Sequence, residues 1–333
     1  NGGSFPAYAF AGQPGGIAAF LIDAIDRTQR TLDAAVYNLT LPGVTDALIR
    51  AQQRGVVVRL VVDEGHLKPD PDRGPGEWAR LIEAKVPMRS LRGGGQYGSM
   101  HNKFAVCDGV FLESGSFNWT KAAEDNNREN AIFRDDKNLI AGYQAYWDWM
   151  WAHAKPVGDG PAPESARGPP PTDEAKPLSF KGRAWPAFAF SPQGGTEQWL
   201  LESVVAAQKT IDIAMFSFYS QPLAEALVAA KGRGVKVRMV LDSSQAGRSD
   251  VVAFMRAQGL KARLVKGRAG RGAMHHKYAI FDKELLENGS YNWSLNASTN
   301  NYENTVFSTT PSDIAGFQAE FDEIDRAAKD AGQ

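Results

Sequence analysis

His101 and Lys103 stand two residues apart, and Asp108, Gly115-Ser116 and Asn118 follow at set intervals. The same set recurs further along the chain as His275, Lys277, Asp282, Gly289-Ser290 and Asn292, with every interval preserved. Histidine has the ordinary pKa nearest neutrality, so it can be nucleophile, acid or base. Lysine adds a fixed cation, and serine and asparagine add uncharged hydrogen bonds. Together these groups suit a phosphate or phosphodiester, where negative charge must be held while phosphorus is attacked. A displacement at phosphorus uses two histidines, one attacking and one protonating the leaving oxygen. A lone His-x-Lys recurs by chance and a lone Gly-Ser is simply a turn, but the whole spacing written twice favours a site.

The elements that must position these residues also come in pairs. Thr31-Leu32-Asp33-Ala34-Ala35-Val36-Tyr37 matches Thr210-Ile211-Asp212-Ile213-Ala214-Met215-Phe216, and Arg54-Gly55-Val56 matches Arg233-Gly234-Val235 at the start of two β-branched runs. The chain is a tandem duplication, with halves expected over 1–154 and 183–333. The stretch 155–182, rich in proline and glycine, reads as an extended linker. In the first half, periodicity predicts helices over 16–30, 44–54, 77–84 and 139–154. It predicts strands over 32–37, 56–62, 86–89, 104–107, 110–113 and 130–133. Alternation of this kind implies an α/β fold: two similar α-β-α sandwich halves, each with a mixed sheet between helix layers. If His101 and Lys103 lie on a strand they share a face, about 6.5–7 Å apart, as do His275 and Lys277. His276 then points away and takes no part. His66 and His153 have no supporting neighbours in the sequence.

Composition sets limits. The 333 residues are 43% hydrophobic and 23% charged, as in a globular protein. The net charge of -1 excludes a globally basic nucleic-acid binder, though not a local basic cleft. With Cys107 as the only cysteine, an intramolecular disulfide and a cysteine-rich zinc site are both excluded. No run of eighteen apolar residues suggests a membrane span. The opening Asn1-Gly2-Gly3-Ser4 points to an exported, processed chain, periplasmic or secreted.

The pattern His-x-Lys, four residues, Asp, six residues, Gly-Ser-x-Asn is the signature of the phospholipase D superfamily, and both halves of this chain resemble it. The resemblance implies a covalent phosphohistidine intermediate without metal or other cofactor. It also implies one active site shared by pseudo-twofold halves of a monomer. Carried over by position, His101 is the nucleophile and His275 the acid, an order that the near-symmetry leaves open. Lys103, Lys277, Asn118 and Asn292 are phosphate ligands; Ser116 and Ser290 belong to the same pocket or its turn. Asp108 and Asp282 are structural. Glu129 and Glu303, at the same interval after His101 and His275, are the acids that hydrogen-bond the catalytic histidines and fix their tautomer.

The resemblance settles reaction type better than substrate. Asn followed by an aromatic residue and Thr or Ser is similar to the nuclease branch, and the halves lack the long insertions of many lipid-acting members. Arg89 and Arg92 precede His101, and Arg263, Lys266, Arg268 and Arg271 precede His275, a rim suited to a polyanion. Phe117, Trp119, Tyr291 and Trp293 are candidate base-stacking residues, with packing as the commoner role. Glycines 93–95 and 267–272 suggest mobile loops. A nuclease acting on DNA or RNA with little sequence preference is therefore expected. The alternative is a phospholipase D or phosphatidyltransferase at a phospholipid surface. A polyanion-binding module with a vestigial site is disfavoured because both motifs are complete.

Overall fold

A computed structural model describes residues 4–67, 76–162 and 168–330. The opening Asn1-Gly2-Gly3 and positions 163–167 of the expected linker lie outside the described residues. The chain divides into two compact units at Pro171/Thr172, inside the stretch read as a linker. Each unit also holds a short piece of the other half of the sequence: Asn300–Glu303 in the first, Asn126–Arg128 in the second.

Unit 1 begins with β1 (Tyr8–Phe10), α1 (Gly16–Arg27), β2 (Thr31–Val36), α2 (Pro42–Gln53), β3 (Val57–Asp63), α3 (Gly76–Glu83) and β4 (Met88–Leu91). It continues through β5 (Lys103–Cys107), β6 (Phe111–Gly115), α4 (Lys121–Asp125), β7 (Asn130–Arg134), α5 (Lys137–His153) and β8 (Lys155–Pro156). The sheet runs β1-β7-β6-β5-β2-β3-β4-β8. It is mixed, because β2, β3 and β4 are parallel while β2–β5, β5–β6 and β6–β7 are antiparallel.

Alternation along β2 sets the layers. Leu32, Ala34 and Val36 join the core that includes Ile17, Leu21 and Ile25 of α1 and Val44 and Leu48 of α2. Asp33 turns to the opposite face, where Arg59 of β3 holds it at 2.8 and 2.7 Å and Gln144 of α5 at 2.9 Å. The Arg59 guanidinium lies 4.6 Å from the Trp147 ring centroid, so α5 covers this face with aromatic side chains. Tyr143, Tyr146, Trp147 and Met150 are all buried there.

Unit 2 opens with a hairpin of β9 (Leu178–Phe180) and β10 (Arg183–Trp185). Then come β11 (Phe188–Ser191), α6 (Thr196–Ala206), β12 (Thr210–Met215), α7 (Gln221–Gly232), β13 (Lys236–Asp242), α8 (Ser243–Ala246), α9 (Asp250–Ala257) and β14 (Ala262–Val265). β15 (Lys277–Phe281), β16 (Leu285–Gly289), α10 (Leu295–Thr299), β17 (Glu303–Ser308), α11 (Pro311–Ala327) and β18 (Lys329–Asp330) complete it. Its sheet, β11-β17-β16-β15-β12-β13-β14-β18, repeats the first strand for strand. The ion pair on a buried aspartate repeats as well: Arg238 holds Asp212 at 2.7 and 2.6 Å, and Gln318 of α11 holds it at 3.0 Å.

Some boundaries move for local reasons. The strand expected over 86–89 is Met88–Leu91, because the Val86 N–H closes back on Leu81 O and Pro87 has no N–H for a ladder. Val110 belongs to the turn and not to β6: Asp108 and Gly109 both have positive φ, and the Val110 N–H returns to Cys107 O. Both ends of the expected linker pair as edge or hairpin strands, and Phe180 is buried in the core of unit 2. Among the described residues no helix is long and apolar enough to cross a membrane.

Candidate functional site

The ladder of β5 begins at Lys103, so His101 precedes the strand and does not share a strand face with Lys103. Its backbone pairs elsewhere: the His101 N–H donates to Tyr302 O at 3.0 Å, and the Tyr302 N–H donates to Ser99 O at 3.0 Å. That pairing brings a carboxylate against the ring. His101 Nδ1 donates to Glu303 Oε2 at 2.8 Å, with both side chains buried. Asn301 Nδ2 donates to the other oxygen of Glu303 at 2.8 Å, and the Tyr146 hydroxyl donates to its backbone carbonyl at 3.3 Å. A carboxylate on Nδ1 sets the tautomer, puts the lone pair on Nε2 and stabilises the ring once it is charged.

Glu129 accepts the Ser116 hydroxyl at 2.6 Å. Ser116 Oγ in turn accepts the Asn130 N–H at 3.0 Å, so Ser116 ties β6 to the start of β7. Ser290 does the same in unit 2, accepting the Asn304 N–H at 3.0 Å. The glycines before these serines allow the strands to close. A Cβ on Gly115 would stand 2.3 Å from Asn130 O, and one on Gly289 would stand 2.2 Å from Asn304 O.

Both lysines fold back on the histidine of their own motif. Lys103 Nζ donates to His101 O, and Lys277 Nζ donates to His275 O at 2.6 Å. Each ammonium also sits over an aromatic face, Tyr37 at 4.6 Å and Phe216 at 5.0 Å. The same rings touch the histidines edge-on, Tyr37 at 4.5 Å from His101 and Phe216 at 4.7 Å from His275. His275 is buried, and its N–H donates to Arg128 O at 2.9 Å. Asn118 and Asn292 each keep a buried Oδ1 with no hydrogen-bond partner among the described residues. An orphaned buried amide suits a bound group.

Asp108 and Asp282 are loop anchors. Asp108 accepts the backbone N–H groups of Gln29, Arg30 and Thr31 at 2.9, 2.7 and 2.9 Å. Asp282 accepts those of Gln208, Lys209 and Thr210 at 2.8, 2.6 and 2.8 Å, with Lys181 Nζ at 2.8 Å. Burial pushes these carboxyls up, but the donors outweigh it and hold both below the ordinary aspartate value. The aspartates thus start β2 and β12, the strands next to the motif strands.

Other expected residues fall away from chemistry. His276 is wholly buried, with Nε2 3.1 Å from Glu320 of α11, a satisfied core histidine. Phe117, Trp119, Tyr291 and Trp293 are all core residues, which removes them as base-stacking surfaces. Arg89 and Arg263 donate to the carbonyls of Trp151 and Ala328, while Lys266 and Arg271 are exposed. The glycine loops are pinned by backbone hydrogen bonds, from Gly94 to Asn300 O and from Arg268 to Asn126 O. Among the described residues, no cluster of three or more His, Cys, Asp or Glu side chains is arranged to hold a metal ion.

The family profile described as "Cardiolipin synthase, PLD-like domain" matches residues 21–151 and 200–324, one segment in each half. The chain belongs to the phospholipase D family. Among its relatives, a mitochondrial cardiolipin hydrolase of Xenopus tropicalis is 33% identical over 132 residues, covering 39% of this chain and 59% of the relative. A phospholipase D of Rickettsia felis is 32% identical over 134 residues, covering 40% of this chain and 64% of the relative. The chain thus spans less than two thirds of the length of either relative. The crystal structure of a phosphatidylserine synthase of Haemophilus influenzae is similar in fold, with a TM-score of 0.74. The identity is 15%, with 97% of this chain and 87% of that one covered.

Two features of the site region lay outside the motif spacing. Glu113 and Glu287, two residues before each Gly-Ser, are fully buried, and none of their oxygens has a hydrogen bond of ordinary geometry. Burial pushes Glu113 up to about 8 and Glu287 well above its ordinary value, only partly offset by the indoles of Trp119 and Trp293. A glutamate at the same place in a short strand of both halves, two residues before Gly-Ser, was the available signal. His66 also has neighbours that the sequence did not suggest: Nδ1 is 2.9 Å from Asp63 Oδ2, and its ring meets Tyr37 at 4.2 Å.

Proposed function

We propose that the protein is a phosphodiesterase in which His101 attacks phosphorus through Nε2 while Glu303 holds Nδ1. The carrying observation is the 2.8 Å hydrogen bond from the buried His101 to the buried Glu303, which orients the ring as a nucleophile requires. As the new P–N bond forms, the P–O bond to the leaving alcohol breaks, and His275 donates the proton that alcohol needs. His275 then takes a proton from water, whose oxygen attacks phosphorus; the P–N bond breaks and a phosphomonoester leaves. Lys103, Lys277, Asn118 and Asn292 hold the non-bridging oxygens, and no step calls for a metal. Ser116, Ser290, Asp108 and Asp282 serve the frame around these groups.

For the substrate, a phospholipid diester of cardiolipin type is the first reading, supported by relatives named cardiolipin hydrolase and phospholipase D. Nucleic acid is the second, supported by the compact repeated sheets without long insertions and by the exposed cations Lys266 and Arg271. The test is one assay pair in EDTA, cardiolipin vesicles against single- and double-stranded nucleic acid. Cleavage of nucleic acid alone would reverse the substrate order, and complete inhibition by EDTA would sink the metal-free mechanism. His101→Ala and His275→Ala should each lower turnover by about a thousandfold or more. Acid-quenched enzyme should carry phosphate on His101; label on His275 would exchange the two roles.

A further inference from the structure

The two halves repeat each other closely around their histidines, and this makes one difference between them informative. In unit 2 the ring against His275 is Phe216, and the turn after β13 reads Asp242-Ser243-Ser244-Gln245. In unit 1 the ring against His101 is Tyr37, and the matching turn after β3 reads Asp63-Glu64-Gly65-His66. Asp63 and Asp242 share a structural duty, accepting the N–H of Met100 and of Met274 at 2.9 Å each. What else they hold differs. Asp242 accepts the N–H and hydroxyl of Ser244 at 2.9 and 2.5 Å, closing its own turn. Asp63 instead holds His66 Nδ1 at 2.9 Å.

Packing does not require the extra polar atoms of unit 1. Phe216 already makes the edge contact with His275 and underlies Lys277, as Tyr37 does for His101 and Lys103. The Tyr37 hydroxyl makes no hydrogen bond among the described residues, although a half-buried tyrosine ordinarily finds one. Burial and the nearby carboxylates Asp63 and Glu303 push it up to about 12, so it keeps its proton as a donor at neutral pH. With Nδ1–H given to Asp63, His66 has its lone pair on Nε2, which has no partner among the described residues, on a side chain 28% exposed. Among the described residues, one unused donor and one unused acceptor therefore lie on two touching rings, one of which touches His101.

We propose that Tyr37 and His66 are substrate-contacting residues of the His101 site that recognise an oxygen-bearing substituent of the diester, such as the hydroxyl of a glycerol or sugar unit. The inference rests on His101 being a catalytic histidine. It makes the halves unequal: both supply a histidine and a lysine, and only the first reads the group attached to phosphorus. The donor–acceptor pair matches a hydroxyl, which takes one hydrogen bond and gives another.

The test substitutes the residues that the second half already carries. Tyr37→Phe removes one oxygen and leaves the ring packing, so folding is not at stake; His66→Gln copies Gln245. Each variant is assayed on cardiolipin vesicles, on an oligonucleotide and on bis(p-nitrophenyl) phosphate, a diester with no hydroxyl-bearing substituent. We expect kcat/KM to fall about tenfold on whichever of the first two substrates the wild type cleaves, mainly through KM. Turnover of the aryl diester should stay within about twofold of wild type. An equal loss on the aryl diester would mean that the rings only position His101, and unchanged kinetics on every substrate would also overturn the inference. A wild type inactive on all three substrates would sink the phosphodiesterase reading and this inference with it. A wild type that is active while both variants match it would sink the inference alone.

Discussion

In the mechanism proposed above the reactivity of His101 turns on Glu303, because a carboxylate on Nδ1 both selects the tautomer and stabilises the ring once phosphorus is bound. Glu303→Gln keeps the shape and removes the charge, and kcat should fall about a hundredfold with little change in KM. Steady-state kinetics of the purified variant checks this, and unchanged kcat would remove Glu303 from the mechanism. Glu113 calls for a different experiment. Its carboxyl sits near 8 against an ordinary 4.5, so the folded state holds this proton more tightly than the unfolded chain does. Its contribution is therefore fully present below the ordinary glutamate value and is lost as pH rises through about 8. Glu113→Gln, which cannot ionise, should melt above wild type at about pH 9, and that advantage should shrink as pH falls towards the ordinary glutamate range. Melting curves across that range decide it; a constant difference would show that ionisation is not involved.

At the scale of elements, Asp108 shows how a motif residue can matter without touching substrate. Its carboxylate collects three N–H donors at the start of β2, the strand that pairs with β5 and so places the His-x-Lys stretch. Asp108→Ala strands those donors and should destabilise the fold by about 1–3 kcal/mol. The folded carboxyl is held below the ordinary aspartate value, so its contribution is present above that value and lost as pH falls through the lowered one. The gap in melting temperature between wild type and variant should therefore close in acid, and a gap independent of pH would contradict the assigned role. The order of strands and helices was legible because periodicity and glycine punctuation are local: Gly55, with φ of 90°, ends α2 as a C-terminal glycine does. The start of β5 was not, because whether His101 joins the ladder depends on Tyr302, a backbone partner far away in sequence. The acid on His101 was hidden for the same reason. Equal intervals put Glu129 and Glu303 at equivalent positions, and only tertiary pairing decides that Glu303 is the one that reaches His101.

At the scale of the whole molecule, the duplication is complete at the level of sheets and incomplete at the level of sequence segments. Both sheets have the same strand order, so each half of the sequence encodes nearly a full sandwich. Yet Asn300–Glu303 clusters with unit 1, and it carries the carboxylate that holds His101 Nδ1. A chain cut at the natural division, Pro171/Thr172, would therefore give a first fragment with His101, Lys103, Ser116 and Asn118 but without Glu303. If the role of Glu303 is as argued, fragment 1–171 alone should retain less than about one-hundredth of the activity of the whole chain, even where circular dichroism reports a formed sheet. Co-expression with fragment 172–333 should restore activity, and co-expression with a 172–333 fragment carrying Glu303→Gln should restore far less. The second pairing separates a catalytic need for the carboxylate from a need for the second half as a folding partner. Equal rescue by both fragments would show that His101 works without its acid, and full activity in 1–171 alone would show that one half is a sufficient enzyme.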